Sequence, residues 1–208
     1  MIKLLVVSGS PVEDSSTDIL LHRAADALVR EVEGAIEVAT TFISLNERQI
    51  IPCQSCGEAP TPKWCFYDDD LTDVLSLLAE CDCLLIGSPI YFDSVSAQLK
   101  LLIDRCNCFR PADFANADPN HDFIKLIKRQ RPGAMVLVGG EDGWFEGARR
   151  AVAGFFKWVE VTNEGLLIYQ SKGFGRKGTV RNDESALAQA DELGRKLAQL
   201  LVKRHGRF

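Results

Sequence analysis

The chain has 208 residues, and 24 Lys and Arg against 29 Asp and Glu give it a formal net charge of −5. With 46% hydrophobic and 25% charged residues it has the composition of a globular protein, which excludes a disordered acidic chain, a collagen-like fibre and a disulfide-dense miniprotein. The length predicts a single domain over residues 1–208. An acidic chain without a basic stripe is poorly suited to nucleic acid, so no nucleic-acid partner is expected.

The number of cysteines and the length of the apolar runs indicate the cellular compartment in which the protein is expected. No apolar run approaches the ~20 residues of a membrane-spanning helix, and no signal-peptide cleavage site follows the apolar start. Seven cysteines are an odd number in a chain long enough to build its own core. They indicate thiols or metal ligands in a reducing compartment. We therefore expect a cytoplasmic protein without a membrane partner.

Short apolar runs alternate with amphipathic stretches along the whole chain. Strands are predicted at residues 2–7, 35–42, 83–86, 134–138 and 165–169. Helices are predicted from residue 16, with Ser15, Ser16 or Thr17 as the cap, at 70–79, after a cap at Asp93 or Ser94, at 123–128, at 145–159 and at 183–203. Residues 107–120 are predicted to be irregular.

This alternation predicts an α/β fold in which parallel strands are joined by right-handed helical crossovers. Ligands bind such sheets at the carboxyl ends of the strands. Three strands are followed there by small-residue segments, SGSP at 8–11, GSPIY at 87–91 and GGEDG at 139–143. We expect these three segments to meet at one edge of the sheet and to form the functional site.

Each segment has its own chemistry. Residues 10–17, SPVEDSST, combine hydroxyls with the start of a helix, which suits a phosphate group, although an ordinary serine-rich turn with a helix cap has the same pattern. The loop contains no Lys or Arg, so dipoles and hydroxyls would have to hold the anion. Residues 88–92, SPIYF, can line a flat ring, or can form a turn with a buried aromatic.

The resemblance to a known family becomes specific at this point. Residues 9–17, the Pro52-Cys53-x-x-Cys56 motif and above all GSPIYFDSVSAQLKLLIDR at 87–105 resemble the NADPH-dependent FMN reductase and iron–sulfur flavoprotein family over nearly the whole chain. The resemblance implies a flavodoxin-like three-layer sandwich with a five-stranded parallel sheet of order 2-1-3-4-5. It also implies FMN at the carboxyl edge and a homodimer or homotetramer.

The resemblance also assigns residues to the cofactor. Ser10, Ser15, Ser16 and Thr17 match the phosphate loop, and Val12 stands where such proteins often have an arginine. The segment along the isoalloxazine ring is matched by Pro89, Ile90, Tyr91 and Phe92, and the third flavin loop by Gly139, Gly140 and Glu141. Lys172, Arg176 and Lys177 are expected to help bind the pyridine nucleotide.

The cysteine segment departs from the iron–sulfur members of this family. The cysteine segment of those members resembles this one at Cys53, Cys56 and Cys65, but it has a further cysteine at the position of Ala59. Because a four-iron cluster needs four thiolates as a rule, three cysteines argue against a cluster. A cluster with an outside ligand, a zinc site and free thiols near the flavin remain alternatives.

The remaining cysteines are expected to be structural thiols in or near the core: Cys81, Cys83, Cys106 and Cys108. Lys100, Asp104 and Arg105 are expected to form a structural ion-pair set or a subunit contact. Trp144, Phe145 and Trp158 are expected in the core or an interface, with an alternative place for Trp144 at the flavin.

The expected function is that of an FMN-dependent oxidoreductase. It would take hydride from NADPH or NADH and pass electrons to a small acceptor, namely a quinone, a flavin, a nitro compound or a metal ion. No protein residue is assigned as a catalytic base. The alternatives are a non-enzymatic FMN electron-transfer protein with a metal or iron–sulfur centre at Cys53, Cys56 and Cys65, and a flavin-free binding module.

Overall fold

A computed structural model describes residues 1–56, 64–110, 125–127, 129–140, 143–171 and 177–205. Its strands are β1 (Ile2–Ser8), β2 (Val38–Ser44), β3 (Cys83–Tyr91), β4 (Ser94–Val95), β5 (Phe109–Arg110), β6 (Lys125–Leu126), β7 (Arg131–Gly140) and β8 (Val161–Ser171). Its helices are α1 (Ser16–Glu31), α2 (Thr72–Glu80), α3 (Ala97–Arg105), α4 (Glu146–Trp158) and α5 (Glu184–His205). Short 3₁₀ turns follow α3 and precede α5.

The main sheet has the order β2-β1-β3-β7-β8, and all four pairings between these five strands are parallel. Because the five run in the chain order 2-1-3-4-5 once the short strands are set aside, the predicted flavodoxin-like order is confirmed. β4 pairs antiparallel with the end of β3, and β5 and β6 form a separate two-stranded sheet.

Two apolar layers bury the sheet. Residues of α1 and α5 pack on one face, and residues of α2, α3 and α4 pack on the other. The central strand β3 serves both layers, since Cys83 and Leu85 point to one and Leu84 and Ile86 to the other. This arrangement produces the predicted three-layer sandwich.

A buried arginine closes the far end of the sheet. Arg131, at the start of β7, is 1% exposed and donates to the carbonyls of Leu78 and Cys81 at the end of α2 and of Val159 at the end of α4. Burial holds its pKa below the ordinary arginine value. The side chain therefore satisfies carbonyls at two helix C-termini, where a cation is also favoured by the helix dipoles.

Four element predictions need correction. β3 continues through Pro89 to Tyr91, because Pro89 and Ile90 still pair with β7 and β4, so residues 87–91 are strand where a loop was predicted. The cap of α3 is Ser96, because Ser94 and Val95 fold back onto β3 before the helix begins. Lys125 and Leu126, predicted as helix, form β6, and Phe109 and Arg110, predicted as irregular, form β5. The rest of the stretch predicted to be irregular, residues 111–120, lies outside the described residues.

In the part of the chain that the structure describes, no helix is both long and apolar enough to cross a bilayer. The longest helix, α5, carries charged residues along its length.

Candidate functional site

The carboxyl ends of β1, β3 and β7 meet at one edge of the sheet. The N–H of Gly9 donates to the carbonyl of Gly87 (2.8 Å), and the Ser96 hydroxyl donates to the carbonyl of Gly9 (2.6 Å). On the other side of β3, Pro89 pairs in register with Val138 of β7. The described parts of the three predicted segments are thus adjacent in space, as the sequence indicated.

Glycine at position 87 allows α1 to start close to this edge. A Cβ added there would lie 2.7 Å from a methyl of Leu21 and 2.8 Å from the methyl of Thr17, well inside van der Waals contact. Any larger residue would push the start of α1 away from β3. The close approach brings the first turn of α1 beside the end of the central strand.

Ser15 forms the N-cap of α1. Its hydroxyl accepts from the N–H of Asp18 (3.2 Å), and the Asp18 carboxylate accepts from the N–H of Ser15 (3.1 Å), which makes a capping box. The Ser10 hydroxyl donates to the carbonyl of Val12, and Thr17 is 1% exposed. Ser10, Ser16 and Thr17 therefore have hydroxyls that are bonded or buried. Ser15 Oγ accepts in the cap but keeps its own proton, so this hydroxyl and the N–H groups of the first turn are the donors left for an anion.

A cluster of hydroxyls beside Ser16 was missed from the sequence. The Thr179 hydroxyl lies 2.7 Å from Ser171 Oγ, 3.3 Å from Tyr169 Oη and 3.4 Å from Ser16 Oγ. The Ser16 oxygen also accepts from the N–H of Val180 (3.3 Å). More than 150 residues separate Ser16 from Thr179, so no local spacing could have indicated this contact.

The turn after β3 carries an exposed ring on an unfavourable backbone. Phe92 and Asp93 have φ of +51° and +56°, and the Phe92 side chain is fully exposed. The Asp93 carboxylate accepts from the N–H of Gly147 in the first turn of α4 (3.0 Å). This bond anchors the turn, because it satisfies a free donor at a helix N-terminus.

The other predicted ring-binding residues line the same edge. Pro89 and Ile90 are half-buried, and Tyr91 is 48% exposed. Gly139 is buried and Gly140 exposed, and nothing lies within 4 Å of where a Gly140 Cβ would stand. Glu141, Lys172 and Arg176 lie outside the described residues. Trp144, expected in the core, an interface or the flavin site, is 77% exposed next to α4, so the core is excluded for this ring.

The cysteine segment lies on the flank of the sandwich. Cys53 lines a cavity of about 530 Å³ between α3 and α4, beside Ile103, Asn107, Arg150 and Phe155. Cys56 is exposed, and Cys65 is half-buried next to Trp64, whose ring centroid lies 4.7 Å from that of Phe109. Within the described ranges, no three His, Cys, Asp or Glu side chains are placed to share a metal ion.

Arg105 holds both ends of this segment. It is 1% exposed, and its Nη1 donates to the carbonyl of Ile51 and to Asp69 Oδ2, each at 2.6 Å, while Nη2 donates to the carbonyl of Tyr67 (3.4 Å). Asp69 also accepts from the N–H of Ile51 (2.8 Å). Burial opposes the charge of Asp69, but the Arg105 bond and two backbone N–H groups hold its pKa below the ordinary value of 3.8.

The four cysteines expected to be structural are core thiols. Cys81, Cys83 and Cys106 are buried, and Cys108 is half-buried. Burial raises the pKa of Cys108 to about 12 and raises those of the other three above the usual range. They are therefore poor nucleophiles at neutral pH.

Comparison with known proteins decides the family. Residues 2–165 match the family model for NADPH-dependent FMN reductase. The chain belongs to the NADPH-dependent FMN reductase family. Membership makes it an oxidoreductase and a flavoprotein of flavodoxin-like fold, and supports FMN and NAD(P)H as its cofactors. The predicted family is therefore confirmed, whereas the loss of a cluster cysteine at Ala59 stays a prediction.

Relatives of the chain include iron–sulfur flavoproteins and an NAD(P)H-dependent reductase. An iron–sulfur flavoprotein of Methanocaldococcus jannaschii is 31% identical over 205 residues, covering 96% of this chain and 97% of the relative. An iron–sulfur flavoprotein of Methanosarcina thermophila is 24% identical and covers 96% and 95%. An NAD(P)H-dependent FAD/FMN reductase of Geobacillus thermodenitrificans is 30% identical over 102 residues, which cover 49% of this chain and 50% of the relative.

Solved structures share the fold of this FMN reductase family member. A flavone reductase superimposes with a TM-score of 0.66 at 16% identity, covering 95% of this chain and 62% of that one. An NADH:FMN oxidoreductase superimposes with a TM-score of 0.61 at 13% identity, covering 96% and 89%. At these identities the likeness concerns the fold.

Proposed function

We propose that the chain, a single domain over residues 1–208, is an FMN-dependent NAD(P)H oxidoreductase that passes electrons from a nicotinamide to a small acceptor. The observation that carries this proposal is the convergence of the ends of β1, β3 and β7, joined by the Gly9–Gly87 and Ser96–Gly9 hydrogen bonds. Membership of the NADPH-dependent FMN reductase family supplies the chemistry.

The start of α1 would hold the FMN phosphate. The first-turn N–H groups point outward from a helix N-terminus, which favours an anion. Ser15 keeps this turn in shape through its capping box; Ser16 and Thr17 are buried residues of the turn itself, and Ser10 is buried in the loop before it. In this assignment Ser10, Ser16 and Thr17 act through their backbone and by positioning the loop, since their hydroxyls are bonded or buried, and Ser15 also has a hydroxyl proton to donate to the phosphate.

The end of β3 would hold the isoalloxazine ring. Pro89, Ile90, Tyr91 and Phe92 present apolar and aromatic surface beside Gly139 and Gly140, with Glu141 assigned to the same loop. The open space at Gly140 and the exposed ring of Phe92 fit a flat ligand at this edge. The residues present therefore fit FMN.

Bound FMN supplies the redox chemistry, because its ring can accept a hydride and release electrons to a second substrate. The chain binds and orients the cofactor and controls access to it. The Asp93–Gly147 bond fixes the turn at Phe92 against α4, which gives the open side of the site a defined rim. We propose a quinone, a flavin, a nitro compound or a metal ion as the acceptor.

We also propose a homodimer or homotetramer in a reducing compartment, the cytoplasm. All seven cysteines are free, and free thiols are typical of such a compartment. Size-exclusion chromatography with light scattering would test the assembly, and a monomer at micromolar concentration would contradict it.

The visible spectrum and anaerobic reduction test the main proposal. The purified chain is expected to show flavin absorbance, or to gain it with added FMN, and the flavin bands are expected to bleach when NADPH or NADH is added without oxygen. A colourless protein that ignores FMN would leave the flavin-free binding module as the better description.

A second candidate is an FMN electron-transfer protein with a metal or iron–sulfur centre at Cys53, Cys56 and Cys65. The names of two relatives favour it. Among the described residues no three His, Cys, Asp or Glu side chains lie close enough to share a metal, and residues 57–63, between Cys56 and Cys65, are outside that set. Iron, sulfide and zinc assays on anaerobically purified protein distinguish the two, because stoichiometric metal would support this candidate.

A further inference from the structure

The segment before α5 packs against the predicted phosphate loop. The N–H of Val180 donates to Ser16 Oγ (3.3 Å), and the hydroxyl of Thr179 lies 3.4 Å from the same atom. Residues 177–180 therefore form a wall of the loop, although they follow it by more than 160 residues. Any charge on this segment acts directly on the start of α1.

Backbone geometry fixes the contact. Gly178 has φ of +62°, and a Cβ at that position would lie 3.0 Å from the carbonyl oxygen of Asp14. Asp14 itself has φ of +52°, a region that Asp and Asn tolerate better than most residues. The close approach of residues 178 and 14 therefore places the side chain of residue 177 at the loop.

Lys177 brings the loop a cation that its own sequence lacks. Its Nζ lies 3.8 Å from Asp14 Oδ2, and the two side chains are 49% and 74% exposed. Residues 10–17 contain no Lys or Arg but carry Glu13 and Asp14, with Asp18 following. A phosphate monoester, with about −1.5 to −2 charges at pH 7, would meet three carboxylates there.

Two other charged side chains described near the loop, those of Asp18 and Arg181, already pack against neighbouring groups. The Asp18 carboxylate accepts from Ser8 Oγ (2.5 Å) and from the N–H of Ser15 (3.1 Å). The Arg181 guanidinium lies over Gly178, near the carbonyl of Asp14. By contrast, the Lys177–Asp14 pair is exposed to water, and such pairs contribute little free energy. Lys177 can therefore exchange Asp14 for another anion at low cost.

We propose that Lys177 is the counter-ion of the FMN phosphate, and that Asp14 holds it at the loop when no flavin is bound. This inference rests on the proposed function, because it takes the loop at α1 as the phosphate site. On binding, the ammonium leaves the carboxylate for the more highly charged phosphate. Asp14 is then both a competitor for Lys177 and a repelling charge, and it lowers the affinity for FMN.

Titration of the full-length, flavin-stripped chain with FMN and with riboflavin tests the proposal, using quenching of flavin fluorescence. Riboflavin lacks the phosphate but has the same ring. For Lys177→Gln we expect FMN affinity to fall roughly tenfold, with riboflavin affinity within about twofold of wild type. For Asp14→Asn we expect FMN affinity to rise about threefold with riboflavin unchanged.

Matched variants separate the local effect from net charge and from folding. Lys203→Gln removes the same charge in the last turns of α5, and it should leave both affinities unchanged. Lys177→Arg keeps the charge and should retain most of the FMN affinity. Circular dichroism and thermal unfolding of each variant check the fold, and equal riboflavin affinity confirms an intact ring site.

The possible outcomes are distinct. Equal loss of FMN and riboflavin affinity in Lys177→Gln, or no loss of either, would overturn the role of Lys177 while leaving the flavin site in place. A Lys177→Gln variant with wild-type FMN affinity but a raised KM for NADPH would support the sequence-based expectation that Lys177 binds the pyridine nucleotide. Wild-type protein that binds neither flavin would overturn the proposed function itself.

Discussion

The loop after β1 and the cysteine segment after β2 follow the carboxyl ends of neighbouring strands, yet they are held in opposite ways. The first is shaped by a local helix cap at Ser15 and leaves helix N–H groups available. The second is closed by the buried Arg105–Asp69 pair, which satisfies the carbonyls of Ile51 and Tyr67 from inside. The loop after β1 therefore keeps hydrogen-bond donors free for a ligand. The two ends of the cysteine segment, by contrast, are held together by side chains of the protein itself.

Breaking the Arg105–Asp69 pair should have the largest effect. Arg105→Met removes the donors to two carbonyls and leaves the Asp69 carboxylate without its partner, which typically costs about 3–5 kcal/mol. Urea unfolding followed by circular dichroism should show this loss. Lys100→Met, which breaks the exposed Lys100–Asp104 pair, should cost under about 0.5 kcal/mol. An equal loss in free energy of unfolding for the two variants would contradict the idea that the buried pair, and not the exposed one, holds the fold.

Acid should loosen the cysteine segment through Asp69. Because the folded pKa of Asp69 lies below its ordinary value of 3.8, the carboxylate stabilises the fold fully above pH 3.8, and this contribution is lost as pH falls through the lower folded value. The difference in free energy of unfolding between wild type and Asp69→Asn should therefore shrink as pH falls from 6 towards 3. A difference independent of pH would show that the charge of Asp69 does not matter.

The two regions also differ in how far the sequence predicts them. The parallel sheet, the helix after β1 and the meeting of three strand ends follow from apolar periodicity and from small residues at the strand ends, whereas the strand order was implied only by the family resemblance. Arg105 was expected only as a structural ion pair or a subunit contact, because nothing in the sequence shows that its partner is Asp69, 36 residues earlier. The contact of Thr179 with Ser16 likewise depends on tertiary packing.

Removing the N-cap of α1 should have a moderate effect on stability and on FMN affinity at the loop after β1. Ser15→Ala loses the hydroxyl that accepts from the N–H of Asp18, and we expect the free energy of unfolding to fall by about 1 kcal/mol. FMN affinity should fall as well, because the first turn frays. Ser76→Ala, within α2, removes a hydroxyl that bonds only the preceding turn and should leave FMN affinity unchanged. If Ser15→Ala bound FMN like wild type, the cap would not shape the phosphate site.

Phe92→Gly should have the smallest effect on stability and separates folding from function most sharply. The ring is fully exposed, so its removal forfeits no packing, and glycine adopts φ near +51° without the strain that a side chain incurs. Relief of strain and the added flexibility of the unfolded chain oppose each other, and we expect the free energy of unfolding to stay within about 1 kcal/mol of wild type. If the ring packs on the flavin, FMN affinity should nevertheless fall roughly threefold to tenfold.

Phe66→Gly is the matched control, because Phe66 is an exposed phenylalanine in the cysteine segment, and it should leave FMN affinity unchanged. Wild-type affinities for FMN and riboflavin in Phe92→Gly would show that the ring of Phe92 does not contact the flavin. The turn would then only border the site, held by the Asp93–Gly147 bond.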